Sequence, residues 1–267
     1  MTTLIEKRYA LLLSGGINSW NNFPRYLNDL RLMYRTLTQF YGFPQENIWV
    51  LYADGAAVDL DGDGQNEIYS PASKAVIEQL FVQFATLLDE NSLFCWFVTN
   101  HGDRHPDEGA RIWLWNEEYV HFVHQRLRLM VTETEVAAWL DHIPCRYQLF
   151  VFQQCFSGAF IARLSRQNRI ICTACAQDET SYARDALDYD EFLYHFFTAL
   201  RGSTPDGEFI AHHRTIQSAF QYAATHDIQP EHPQYIDPSG IGQTLTIEGF
   251  LSQEMHVSEN SLLSTNF

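Results

Sequence analysis

Five short runs of uninterrupted apolar residues constrain the fold of this chain more than any other feature. They are Tyr9 to Ser14, Ile48 to Tyr52, Leu93 to Thr99, Leu149 to Gln153 and Ile170 to Ala174. Each has strand length, and each is apolar at successive rather than alternate positions. A strand of that kind must bury both faces, which points to the interior of a mainly parallel sheet covered by helices. Helical patterns lie between the runs. Pro24 to Tyr41 carries Leu27, Leu30, Met33, Leu37 and Tyr41 at helical spacing, and Pro71 to Asp89 follows Ser70 as a cap, with Pro71 in the first helical position. Thr132 and Glu135 form a capping box ahead of Val136 to His142. Trp113 and Trp115 alternate with polar residues, which predicts a hairpin within Arg111 to Leu129. Helices over Asp190 to Leu200 and Arg214 to Thr225 precede a loop-rich tail from His226. The order predicts one α/β domain over 1–267, with its core at 8–200 and C-terminal helices and loops at 201–267.

Composition narrows the function. Hydrophobic residues make up 46% of the chain and aromatic residues 14%, enough for a sizeable core, so disorder is excluded. Lys and Arg number 17 against 33 Asp and Glu, a net charge of −16, and no basic stripe exists to neutralise phosphates, so no nucleic-acid partner is expected. No apolar run approaches the ~18 residues of a membrane span. The start of the chain has no signal-peptide core, so a cytoplasmic protein without membrane contact is expected. The five cysteines are odd in number and sit mostly in apolar runs, which argues against a disulfide framework and leaves one as a candidate reactive thiol. Cys172 and Cys175 have Cys-x-x-Cys spacing but no second pair to complete a zinc site.

In open α/β sheets, functional groups gather beyond the carboxyl ends of the strands. Two of the predicted strand ends carry a base and a nucleophile. His101 follows Phe97-Val98-Thr99-Asn100 and precedes Gly102; Cys155 follows Phe150-Val151-Phe152-Gln153-Gln154 and precedes Phe156-Ser157-Gly158. If these strands are neighbours, imidazole and thiol face each other across a substrate carbonyl. The N–H groups of Gly102 and Cys155 are then candidate oxyanion donors. A helix starting just after Cys155 would favour its thiolate.

An apolar strand, His-Gly, about fifty residues and a second apolar strand ending in Cys-x-Ser-Gly resembles the clan CD cysteine peptidases. These include caspases, metacaspases, clostripain and legumain, all with a caspase-type α/β fold. The legumain family, which also holds the GPI transamidase catalytic subunit, is the most similar. Its Trp-x-Asn-Tyr-Arg-His phrase resembles Trp20-Asn21-Asn22-Phe23-Pro24-Arg25, and its second-strand approach resembles Gly42-Phe43-Pro44 followed by Ile48. The resemblance covers roughly residues 8 to 200. It implies His101 as base, Cys155 as nucleophile, Asn22 as the residue orienting the histidine, and Arg25 as a contact for an Asn or Asp side chain. Thr173-Ala174 with Ser181 and Tyr182 resembles the wall of the specificity pocket. This chain departs from the family at Pro24, which shifts Arg25 by one position, and at Gln153, where legumains carry Glu and caspases Gln. Arg25 with Gln153 suits Asp or Asn at the cleavage position. A carboxylate from Asp178, Glu179, Asp188 or Asp190 would suit Arg or Lys instead, and both specificities stay open.

A second feature is the run Asp59-Leu60-Asp61-Gly62-Asp63-Gly64-Gln65-Asn66-Glu67. Carboxylates at Asp59, Asp61, Asp63 and Glu67, the Gln65 carbonyl and a turning Gly match oxygen coordination of Ca²⁺. Position 12 is Ser70 rather than Glu, so the loop resembles compact Asp-x-Asp-x-Asp-Gly repeats more than a helical EF-hand. Taken together, these features predict a cysteine endopeptidase, Ca²⁺-dependent, acting on protein or peptide substrates and open to an activating or inhibitory protein partner. The alternatives are a transamidase or ligase on the same dyad, and a catalytically idle Ca²⁺-binding module.

Overall fold

The apolar runs form the middle of a six-stranded sheet in the computed structural model, which describes residues 5, 7–107, 109–116 and 129–250. Strands β1 (Lys7–Ser14), β2 (Ile48–Tyr52) and β3 (Ser92–Thr99) come first. A small antiparallel sheet of β4 (Gly102–His105), β5 (Gly109–Trp113) and β6 (Met130–Thr132) follows. Next come β7 (Tyr147–Phe152), β8 (Arg169–Thr173), the short pair β9 (Ala183–Arg184) and β10 (Tyr189–Asp190), and β11 (Gln234–Ile236). The main sheet runs β2-β1-β3-β7-β8-β11. All its pairings are parallel except β8 with β11.

Six helices flank it among the described residues: α1 (Pro24–Arg35), α2 (Lys74–Leu87), α3 (Glu133–Leu140), α4 (Phe160–Leu164), α5 (Glu191–Arg201) and α6 (Ile216–His226). Successive strand residues feed opposite layers. Leu12, Phe97 and Val151 join a core with α1, α5 and α6, while Leu11, Trp96 and Phe152 join one with α2, α3 and α4. Every residue of β3 is buried, as its two-faced apolar run requires. Burying such side chains contributes roughly 1.5–3 kcal/mol each against chain entropy.

The strand runs and the Thr132–Glu135 capping box match the sequence reading. Four details differ. The helix expected from Pro71 starts at Lys74, capped by Ser73, because Ser70 bridges to Leu51 at the edge of β2 and its carbonyl accepts the Tyr52 N–H. The helix expected to run to Tyr41 widens into a π turn over Thr36–Phe40, where the Thr36 and Thr38 hydroxyls bond the carbonyls of Leu32 and Tyr34. The expected hairpin is a three-stranded sheet, with residues 117–128 of that stretch, including His121 and His124, outside the described residues. The loop-rich tail supplies β11, three residues next to Pro233, too short to show a period. No helix is long and apolar enough to cross a membrane among the described residues.

Candidate active site

The backbones of His101 and Cys155 come side by side because β3 and β7 are adjacent and parallel. Val98 pairs with Phe152, and the Gln153 N–H donates to the Val98 carbonyl at 2.9 Å. Each of the two residues lies three positions beyond that last pair, so they leave the sheet side by side at its carboxyl edge. The next residue brings the loops into contact. A Cβ built on Gly102 would lie 2.3 Å from the Cys155 carbonyl oxygen, so only glycine permits this approach. The Trp113 N–H donates to the His101 carbonyl, which makes Gly102–Ile112 a non-hydrogen-bonded pair and turns the Gly102 N–H out of the β4–β5 ladder.

The imidazole is held from the β1–α1 loop. His101 Nε2 lies 3.0 Å from the backbone carbonyl of Asn21. A carbonyl only accepts, so neutral His101 carries its proton on Nε2 and presents a basic Nδ1. The rings of Phe23 and Tyr26 stand edge-on to it, each with its centroid 5.5 Å away. Burial lowers the His101 pKa, as does Arg25, against the opposing pull of the Asn21 carbonyl and Asp190. The neutral form of the imidazole is thereby favoured. Asn22, which the family resemblance assigns to this orienting role, does not contact the imidazole: its Nδ2 donates to the Tyr52 hydroxyl at 2.9 Å, and its Oδ1 is buried without a partner among the described residues. The neighbouring backbone does the work, and Gly16 makes room for it, since a Cβ there would sit 2.4 Å from the Asn21 oxygen. A backbone acceptor leaves no side-chain signature, so the sequence pattern pointed one residue too far.

Cys155 occupies a tight turn in which the Ser157 N–H donates to the Gln154 carbonyl and Phe156 takes a left-handed conformation at φ +60°. The rest of the motif braces this turn. Ser157 Oγ lies 3.3 Å from Cys175 Sγ, and a Cβ on Gly158 would come within 2.7 Å of the Ala176 backbone, so the Cys155 loop packs closely on the loop after β8. That loop brings Ser181 to the thiol: Cys155 Sγ lies 3.8 Å from Ser181 Oγ and 3.9 Å from its carbonyl. The expected helix dipole is not placed to act, because a 3₁₀ turn over Ser157–Ala159 intervenes and the five-residue α4 starts at Phe160. All five cysteines are free, and Cys172 is buried in β8 while Cys175 faces Ser157, so the Cys-x-x-Cys spacing builds no metal pair.

The expected pocket residues divide. Arg25 Nε donates to Asp190 Oδ1 at 2.7 Å, and its guanidinium lies over the rings of Phe23 and Tyr26 that flank His101. Of the four candidate carboxylates, Asp190 is the one paired with Arg25, and Asp178 is exposed on the loop after β8. Gln153 is fully buried, its Oε1 taken by the Leu193 N–H. Beneath the ion pair, Thr99 Oγ1 lies 2.6 Å from Asp29 Oδ2 and 2.8 Å from Asp190 Oδ2. One hydroxyl carries one proton, so one carboxyl must supply the other. Burial, then Asp190, push the Asp29 pKa up, which makes Asp29 the neutral partner. Asp29 and Thr99 looked like ordinary helix and strand residues in the sequence, and only the fold brings them beneath Arg25.

Tyr182 is exposed on the outer wall, its N–H held by Glu231 Oε2 at 3.1 Å. Burial and Asp227 push the Glu231 pKa up to about 10 from an ordinary 4.5. The folded chain then keeps a proton that the unfolded chain releases above 4.5, so this group's contribution is complete below 4.5 and is lost as pH rises towards 10. Glu231→Gln is expected to raise the melting temperature at pH 8 by about 3 °C or more, with the gap closing near pH 4.5. Melting curves of both proteins at the two pH values check it; an equal gap at both would refute the shifted carboxyl. His232 sits beside this wall, its Nδ1 2.5 Å from Glu179 Oε1.

The acidic loop folds around its own carboxylates. Asp59 accepts the N–H groups of Gly62 and Gly64, Asp61 that of Asp63, Asp63 that of Gln65, and Glu67 that of Leu60. One oxygen from each of Asp59, Asp61, Asp63 and Glu67 falls within 4.8 Å of the others, so these four can hold a metal ion. Burial raises the Glu67 pKa, and Asp61, Asp59 and Asp63 raise it further. Compared with models of known protein families and with curated proteins, the chain matches none.

Proposed function

We propose that the chain is a cysteine endopeptidase of caspase-type fold, with His101 as base and Cys155 as nucleophile. The observation that carries this reading is the shared register of the two residues at the ends of adjacent parallel strands, with Gly102 pressed against the Cys155 carbonyl. The sheet order, with a single antiparallel strand at the β11 edge, supports it further. Nδ1 of His101 takes the thiol proton and the sulfur attacks a peptide carbonyl carbon. The oxyanion forms towards the N–H groups of Gly102 and Cys155. Collapse breaks the C–N bond, and the amine leaves with the proton from His101. Water, deprotonated by the same imidazole, then cleaves the thioester and restores the thiol. An amine in place of water would give a transamidase on the same residues.

Arg25 and Asp190 together supply a donor and an acceptor with no unbalanced charge. That pairing favours an amide side chain at the cleavage position, Asn in preference to Asp, Arg or Lys. A peptide-library profile tests the reading: cleavage after Asn supports it. No cleavage by the intact protein, with or without Ca²⁺, would leave the idle binding module instead.

The four clustered carboxylates are hard oxygen donors, which fits Ca²⁺ rather than a thiophilic metal. Asp59, Asp61, Asp63 and Glu67 would hold it, with the Gln65 carbonyl, and the ion would supply charge neutralisation that orders the loop beyond β2. The melting temperature is expected to fall by about 5 °C on replacing saturating Ca²⁺ with EDTA. Identical melting in both would remove calcium from this reading.

A further inference from the structure

On the α1 side of the molecule, a cavity of about 420 Å³ gathers Arg31 and Arg35 of α1 with Arg201 at the end of α5. Among the described residues none of the three guanidinium groups is in an ion pair, in a chain whose net charge is −16. Asp59 is the one carboxylate in the lining, and its two oxygens are already engaged by the N–H groups of Gly62 and Gly64. Asp59 offsets at most one of the three clustered positive charges, and an anion would neutralise the remainder. Burial, and then the charge of Arg35, depress the Arg201 pKa against the pull of Tyr189.

Two of the three forks are held in place. Arg35 Nε donates to the Leu60 carbonyl at 2.8 Å, leaving its terminal nitrogens for a ligand. The Arg201 guanidinium lies over the Phe40 ring at 4.6 Å, and its Nε is buried with no partner. Gln39 adds a side-chain amide. Planar guanidinium forks match phosphate oxygens two at a time, whereas a single carboxylate would neutralise only one of the three. The volume lies in the range of small-molecule sites. A long polyanion would meet the repulsion of the whole acidic surface, and a short one would not.

We infer that this cavity binds a small oligophosphate, either inorganic or the triphosphate end of a nucleotide. Isothermal titration calorimetry of the full chain with tripolyphosphate and with ATP tests this, in EDTA so that chelation at the acidic loop does not mimic binding. One saturable site for tripolyphosphate is expected, weakened about tenfold by Arg31→Ala and by Arg201→Gln. Equal affinity for ATP assigns recognition to the phosphates, and tighter ATP binding adds a contribution from the nucleoside; both support the inference. No saturable tripolyphosphate binding, or undiminished affinity in Arg31→Ala, would overturn it. Arg31 makes no hydrogen bond among the described residues, so its variant remains decisive if the Arg201 variant fails to fold. The measurement reads binding rather than turnover, so it stands or falls apart from the peptidase reading.

Discussion

On the proposed peptidase reading, Cys155→Ala is expected to lower peptide hydrolysis by about 10³-fold or more while the melting temperature stays nearly unchanged. The two halves of this expectation have separate causes. The sulfur makes only long contacts, 3.8 and 3.9 Å, both with Ser181, and is only partly buried, so its loss removes little packing. Chemically nothing replaces it, because the other four thiols are buried, and burial holds the pKa of each above the ordinary thiol value. His101→Ala is expected to lose a similar amount, and the double variant no more than either alone, since base and nucleophile act as one unit. Undiminished hydrolysis by the Cys155 variant, at matched protein concentration, would end the assignment.

Gly102→Ala is expected to lower kcat/KM by about 10²-fold and to destabilise the fold by about 1–3 kcal/mol. The new methyl would stand 2.3 Å from the Cys155 carbonyl and 2.9 Å from Gln154 Cγ. The first of these is backbone, so relief requires the nucleophile loop to move. That loop is tethered through Ser157 and Gly158 to the segment carrying Ser181, and the shift would reach the pocket wall as well as the thiol. Gly207→Ala serves as the contrast, because a Cβ there meets nothing within 4 Å although its φ is +90°. Steady-state kinetics with thermal melts separate the two. A Gly102→Ala enzyme of normal rate would show that the loops do not depend on this contact.

Much of the framework was legible from local pattern. Runs such as Ser92–Thr99 are apolar at every position because both faces of the strand are covered, and a window of eight residues is enough to see that. The Thr132–Glu135 box and Pro24 at a helix start are equally local, each satisfying backbone groups within one turn. The acidic loop is local too, since its carboxylates bond N–H groups two to seven residues away.

His101 and Cys155 were readable as residue types at two strand ends, and their chemistry follows from those types. Their common position at the sheet edge was not readable, because sequence does not say which strands lie side by side; the register of β3 against β7 decides it. The same division runs through the pocket. Arg25 was a candidate on its own, but its charge is set by Asp190, with Thr99 and Asp29 beneath, and these four come from α1, β3 and β10. The acceptor for the imidazole is the main-chain carbonyl of Asn21, an atom that every residue type carries. Local order is written in short-range patterns because it is satisfied within a turn or a strand. The electrostatics of the site depends on groups dozens of residues apart, and only the folded chain sets the distances between them.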